Sequence, residues 1–267
     1  MPLAVCATPI GNLEDVTLRV LRELAEADLV LCEDTRHTRV LLDRHGVEAK
    51  LLSYHRHNEA ERTAQVLPRL ASGERVALVS DAGLPGISDP GARLVTAALE
   101  AGLPVTVLPG PSAVETALVA SGLVSEHYQF LGYLPRGEHA LAELADELSR
   151  WPFAAVAYES PQRLPAALRV LARVSPDRPA AVCRELTKRF EEIARGTLSE
   201  LADRFSEPPK GEITLVLGTA ATVPSDDAEA VGAVAELVSA GLPRRQAADV
   251  VARLTGVARN RLYKASL

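Results

Sequence analysis

The sequence predicts an α/β protein: two α/β domains followed by a small helical module. Three observations predict it. Apolar runs of strand length alternate with stretches of helical periodicity. Gly- and Pro-rich loops repeatedly close the carboxyl side of those runs. The hydrophobic content is 47% while aromatics are only 4%, so small aliphatic residues must build the core. The 267 residues suffice for two ordinary domains.

The elements follow in order. Residues 3–7 (LAVCA) read as a buried strand that ends in the turn Thr8-Pro9-Ile10-Gly11. Residues 15–25 place Val16, Leu18, Val20, Leu21 and Leu24 at helical spacing. A strand at 29–32 precedes a short helix at 38–45, with Gly46 to stop it. Residues 51–54 read as a strand, 59–71 as a helix, and 75–80 as a strand. A shaped loop spans 81–91, and a helix follows at 92–101. A strand at 105–108 and a helix opening at Pro109-Gly110-Pro111-Ser112 and running to about residue 120 complete the first half. Regular strand–helix alternation predicts a mainly parallel sheet covered by helices. Residues 121–132 break the pattern. The second half reads as strands at 130–133, 153–158, 180–184 and 213–217, with helices at 139–150 and 162–174. Residues 222–227 (TVPSDD) read as a polar linker, followed by helices at 228–240, 244–254 and 257–263. The expected domains are thus 1–120, 121–221 and 226–267, the last resembling a helix-turn-helix module.

Composition excludes several classes. No apolar stretch approaches the roughly 20 residues of a spanning helix, and no basic segment leads into a long apolar run at the start, so no membrane segment or secretory signal is expected. Cys6, Cys32 and Cys183 lie far apart and beside apolar runs, which predicts buried thiols in a reducing cytoplasm rather than a zinc or disulfide framework. His55 and His57 offer two imidazoles with no third ligand, so no metal site is expected. The net charge of −6 argues against a generic nucleic-acid coat. Residues 240–267 invert that balance. They carry Arg244, Arg245, Arg253, Arg259, Arg261 and Lys264 against the single acid Asp249.

Ligands of parallel sheets bind beyond the carboxyl ends of the strands, and four unusual loops lie there. The richest is SDAGLPGISDPG at 80–91, where three glycines shape the backbone and Asp81, Ser88 and Asp89 supply polarity. LPGPSA at 108–113 opens a helix whose free N–H groups can meet an acceptor. CEDTRHT at 32–38 gathers acid, base and hydroxyl, and TPIGN occupies 8–12. Structural readings compete at each: Asp89, Asp34 or Ser112 could simply cap the next helix. The sequence lacks Gly-x-Gly-x-x-Gly and Gly-Lys-Ser/Thr, which weakens dinucleotide and phosphate-loop readings.

Together with ATPIGNLEDVTLR, YESPQRL, CRELTKRFEE and KGEITLVLG, these loops resemble the tetrapyrrole methylase superfamily, the class III methyltransferases. More narrowly, they resemble its bacterial branch that methylates the ribose 2′-oxygen of a cytidine in the decoding region of 16S ribosomal RNA. The tetrapyrrole-modifying relatives favour Gly-x-Gly-Pro-Gly and Gly-Asp-Pro where this chain has Ala7-Thr8-Pro9-Ile10-Gly11 and Ser80-Asp81-Ala82-Gly83. The resemblance implies a homodimer that binds S-adenosylmethionine in the cleft between two α/β domains and acts on 16S ribosomal RNA within the 30S subunit. By motif, Ile10, Asp81, Gly83, Leu84, Ser112 and Ala113 would line the donor from the first domain. Tyr158, Cys183, Gly211, Glu212 and Ile213 would line it from the second.

Methyl transfer to a hydroxyl asks for alignment, and a base or cation helps the hydroxyl react. Asp34 with Arg36 is the first candidate pair and Glu185 with Lys188 the second, with Asn12 orienting the nucleotide. Ion pairs of purely structural purpose would look the same. The rival functions are a tetrapyrrole or other small-molecule methyltransferase, a non-catalytic RNA-binding protein, and a nicotinamide-dependent dehydrogenase.

Overall fold

The structure, a computed structural model, describes residues 3–220 and 227–267. The first sheet contains β1 (Leu3–Cys6), β2 (Leu29–Cys32), β3 (Leu51–Ser53), β4 (Val76–Leu78) and β5 (Val105–Leu108). Their order is β3-β2-β4-β1-β5 and every pairing is parallel. β1, β2 and β4 are buried along their whole length, as a sheet covered on both faces requires. One face packs under α3 (Glu59–Ala71) and α4 (Ala92–Glu100), around Tyr54, Val66, Leu70 and Leu94. The other packs against α1 (Leu18–Glu26) and α2 (Thr35–Arg44), around Val20, Leu24 and Leu42.

Two helix starts in the first half differ from the sequence reading by three residues, and caps explain both. α1 begins three residues late because Thr17 accepts from the Val20 N–H, after a short 3-10 turn at Leu13–Asp15. α2 begins three residues early because Asp34 caps it through the Arg36 N–H. Asp89 caps nothing: the N-cap of α4 is Gly91, with no side-chain bond.

The second sheet contains β6 (Tyr128–Tyr133), β7 (Ala154–Glu159), β8 (Pro179–Arg184), β9 (Glu192–Thr197) and β10 (Ile213–Leu217), in the order β6-β7-β10-β8-β9. Only β6–β7 is parallel; the three other pairings are antiparallel. The mainly parallel expectation, drawn from the first half, holds there; the sequence reading set no pairing for the second half. β9 and α8 (Leu198–Arg204) have no counterpart in the sequence reading. β9 is an edge strand with only Ala194 buried, so it shows no apolar alternation. α8 does carry a signal, the capping box between Thr197 and Glu200.

α6 (Glu138–Arg150), α7 (Leu164–Val174) and α8 share a core with one face of this sheet. α5 (Ala113–Ser121), which follows β5 in the chain, covers the other face. Val114, Ala117 and Leu118 pack with Val156, Ala181, Cys183 and Val216. The helix that closes the first half thus serves as a wall of the second, and this seam joins the two sheets.

α9 (Asp227–Ser239), α10 (Arg244–Thr255) and α11 (Arg259–Ala265) form a module with its own core of Val234, Ala247, Ala248, Val251 and Leu262. The expected linker at 222–227 falls largely outside the described residues. Among the described residues no helix is long and apolar enough to cross a membrane.

Candidate active site

The carboxyl ends of β1, β4 and β5 face the second sheet across a cavity of about 690 Å³. That volume lies within the usual range for a small-molecule site. All eleven residues that the motifs pointed to as donor contacts line it, from Ile10 in the first half to Ile213 in the second.

The shaped loops are held by a pair of backbone bonds and a buried hydroxyl. Thr8 and Gly83 exchange N–H···O bonds of 2.8 and 3.1 Å, and the Thr8 hydroxyl donates to the Ser80 carbonyl at 3.0 Å. This ties the loop after β1 to the loop after β4 and fixes Ile10, Asp81 and Leu84 at the rim. The loop after β5 places Ser112 and Ala113 at the start of α5, where main-chain N–H groups are free of helix bonds. The Ser112 hydroxyl donates to Glu115, which also accepts from the Tyr128 hydroxyl at 2.6 Å. Those two bonds outweigh burial and lower the Glu115 carboxyl below its ordinary range.

The second half supplies an apolar wall. Burial raises the Cys183 thiol and the Tyr158 phenol each to about 12, so both stay neutral and neither is a nucleophile at physiological pH. Phe130 and Tyr133 meet the Tyr158 ring at centroid distances of 5.0 and 5.6 Å. Both line the cavity, and sequence reasoning missed both. The register of β6 against β7 shifts between Phe130 and Tyr133, at Gly132 with φ +66°. The bulge turns Tyr133 to the same face as Phe130, and a glycine inside a strand pattern is the signal that could have found it.

The five residues considered for catalysis are not among those that line the cavity; Asp34 bonds to the lining residue Asp81, and Glu185 and Lys188 bond to the lining residue Glu212. The Arg36 guanidinium grips Asp34 at 2.7 and 3.1 Å while the Arg36 N–H also donates to it at 2.8 Å. These bonds hold the Asp34 carboxyl well below the usual carboxylate range. Its own N–H donates to Asp81 at 3.1 Å. Glu185 accepts from the Glu212 N–H and from the Lys188 ammonium, both at 3.0 Å, which lowers its carboxyl too. Lys188 also reaches Glu212 at 2.8 Å. Both carboxylates are thus occupied by donors, which makes them orienting groups more than proton acceptors. The Asn12 N–H donates to the Thr187 hydroxyl at 2.9 Å, so the loops of the two halves touch beside the cavity. Glu185 and Thr187 hold left-handed backbone, with φ of +53° and +64°.

Asp89, read in the sequence as a charge or a helix cap, lines the cavity. Burial, then the nearby Glu33, raises its carboxyl to about 6. Among the described residues no group of three His, Cys, Asp or Glu side chains is placed to hold a metal ion.

Comparisons with known proteins agree with this architecture. Residues 2–202 match the family described as Tetrapyrrole (Corrin/Porphyrin) Methylases, and residues 224–267 match the RsmI C-terminal HTH domain. The chain is 40% identical over 270 residues to ribosomal RNA small subunit methyltransferase I of Escherichia coli O157:H7, covering 99% of this chain and 94% of that one. It is 46% identical over 166 residues to the protein of the same name from Halalkalibacterium halodurans; that match spans 62% of this chain and only 57% of the relative. Among solved structures the methyltransferase CobJ superposes with a TM-score of 0.64 at 22% identity, covering 82% of this chain and 94% of that chain. That likeness supports the fold, two α/β layers around a cleft. The chain belongs to the tetrapyrrole (corrin/porphyrin) methylase family, and within it to the group of ribosomal RNA small subunit methyltransferase I.

Proposed function

We propose that the chain transfers a methyl group from S-adenosylmethionine to the ribose 2′-hydroxyl of a cytidine in the decoding region of 16S ribosomal RNA. It would act in the cytoplasm, as a homodimer, on the small ribosomal subunit. One observation carries the reading: a single cavity, lined by both halves, collects every residue that the donor motifs indicated.

The residues suit such a donor. Tyr158, Cys183 and Ile213 offer an apolar, neutral wall for a purine. The main-chain groups at Ser112 and Ala113, on the helix start, suit a carboxylate. Asp81 and Glu212 offer acceptors to an ammonium or ribose hydroxyls. When bound, the sulfonium supplies an already activated methyl group, so the protein has mainly to align two reactants and exclude water. Arg36, whose side chain is 90% exposed, and Lys188 stand at the mouth to meet phosphate. Asp34 and Glu185 hold those two cations in place. Asn12 sits where the halves meet and would orient the nucleotide. The tail would add phosphate contacts through the exposed Arg245, Arg253, Arg259, Arg261 and Lys264.

The test is transfer from methyl-labelled donor to small subunits prepared without the modification, with a porphyrinoid acceptor in parallel. Label on ribose of 16S RNA supports the proposal. Label on the porphyrinoid alone would move the chain to the small-molecule methylases of the same fold.

A further inference from the structure

Five carboxylates line the cavity among the described residues: Asp81, Asp89, Glu115, Glu159 and Glu212. Four are held by specific donors. Asp81 accepts from the Asp34 N–H, and Glu115 from two hydroxyls. Glu159 pairs with Arg163 at 3.0 Å and accepts from the Ser160 N–H at 2.7 Å. Glu212 pairs with Lys188. Asp89 forms no ion pair among the described residues; the nearby Ser80 hydroxyl is neutral and donates to the Ala82 and Gly83 carbonyls.

Its position is fixed from outside the cavity. Ser88, the residue before it, holds left-handed backbone at φ +65°, and the Arg56 guanidinium clamps the Ser88 carbonyl at 2.6 Å. A non-glycine residue is strained in that conformation, so the loop is held in this shape against local preference. The charged and titratable groups that face Asp89 come from every neighbouring element. They are Glu33 after β2, Arg56 after β3, Asp81 after β4, and Tyr133 and Tyr158 on β6 and β7.

We propose that Asp89 is the general base of the methyl transfer, a role that rests on the reaction proposed above. Its carboxylate takes the proton of the acceptor hydroxyl. The oxygen's electron pair then forms the bond to the methyl carbon as the carbon–sulfur bond breaks and its pair returns to sulfur. A neutral thioether, a methyl ether and a protonated Asp89 result, and the proton passes to solvent. Burial and the neighbouring acids Glu33 and Asp81 raise the Asp89 carboxyl to about 6, toward the range a base needs near neutral pH, and no cation holds it as Arg163 holds Glu159. Asp34 and Glu185, by contrast, are shifted in the unhelpful direction.

The test compares wild type with Asp89→Asn and Asp89→Glu, using methyl-labelled S-adenosylmethionine and unmodified small subunits. For Asp89→Asn the single-turnover rate should fall by roughly 10²–10⁴-fold. S-adenosylhomocysteine affinity by calorimetry should stay within about threefold, and melting at pH 8 should not drop, because a neutral amide relieves a buried charge. Asp89→Glu should restore part of the rate, and the wild-type rate should show an acid limb near pH 6. An Asn variant retaining more than about a tenth of the wild-type rate, or an acid limb absent between pH 5 and 7, overturns the assignment. So does an Asn variant that loses rate and melting temperature together, since that marks a structural role. Wild type that binds the product but labels no RNA overturns the proposed reaction, and the base with it.

Discussion

Gly11 is where the two halves press together, and replacing it with alanine perturbs that junction alone. A Cβ there would lie 2.6 Å from Lys188 Cγ, 2.6 Å from Thr187 Oγ1 and 2.7 Å from the Leu186 carbonyl oxygen. Lys188 can swing away, but the carbonyl belongs to backbone that already carries left-handed residues at 185 and 187. Overpacking of this kind costs about 1–3 kcal/mol. Pushing the loops apart also strains the bond from the Asn12 N–H to Thr187, worth about 1 kcal/mol more. The expected loss is roughly 2–4 kcal/mol, or about 4–16 °C in Tm at this chain length. Ile10 and Leu186 line the cavity on either side of the junction, so the donor site should widen. If about 1.4 kcal/mol of that disturbance falls on binding, donor affinity drops about tenfold. Calorimetric titration with S-adenosylhomocysteine and thermal melts read both quantities. Gly232→Ala is the control: it lies in α9 with nothing within 4 Å of an added Cβ, and should raise stability slightly. A Gly11→Ala protein with unchanged Tm and unchanged affinity would refute the idea that this junction sets the cleft.

Three further outcomes follow from the same geometry. Asp89→Asn should be more stable than wild type at pH 7–8 and indistinguishable near pH 3. Its folded value of about 6 stands above the ordinary 3.8, so the ionised wild type loses stability as pH rises through that window. Full burial would make the difference about 3 kcal/mol, and partial exposure reduces it to roughly half; denaturant melts across pH check it. Arg178→Met should cost about 3 kcal/mol or more, because the buried guanidinium donates to the carbonyls of Leu148, Phe153 and Gly218, and chemical denaturation measures it. Removing residues 226–267 should weaken RNA binding and flatten its salt dependence by nearly one logarithmic unit for each phosphate that the tail neutralises, as filter binding from about 50 to 200 mM salt would show.

The first sheet is readable because its strands are continuous apolar runs and its helices carry clear periodicity. The loops that line the cavity are readable because glycine, proline and acid cluster in them after strand ends. The second sheet is harder. β9 (EIARGT) hides its strand character at an edge, where one buried residue leaves no alternation to detect. The antiparallel pairings depend on which strands meet, and local sequence does not encode that. Asp34 shows a different limit: its residue type suggests a base, while the cap and the guanidinium that lower its proton affinity exist only with α2 in place. Asp89 is the reverse case, since its raised carboxyl comes from burial and from Glu33 and Asp81, which the loops after two other strands bring to it.

The most direct test is a crystal structure of the chain with S-adenosylhomocysteine. The product is expected in the cavity between the sheets, its purine against Tyr158, Cys183 and Ile213, its carboxylate at the start of α5, and its sulfur turned toward Asp89. Product bound elsewhere, or with its sulfur turned away from Asp89 and the mouth, would contradict both the donor site and the assignment of the base.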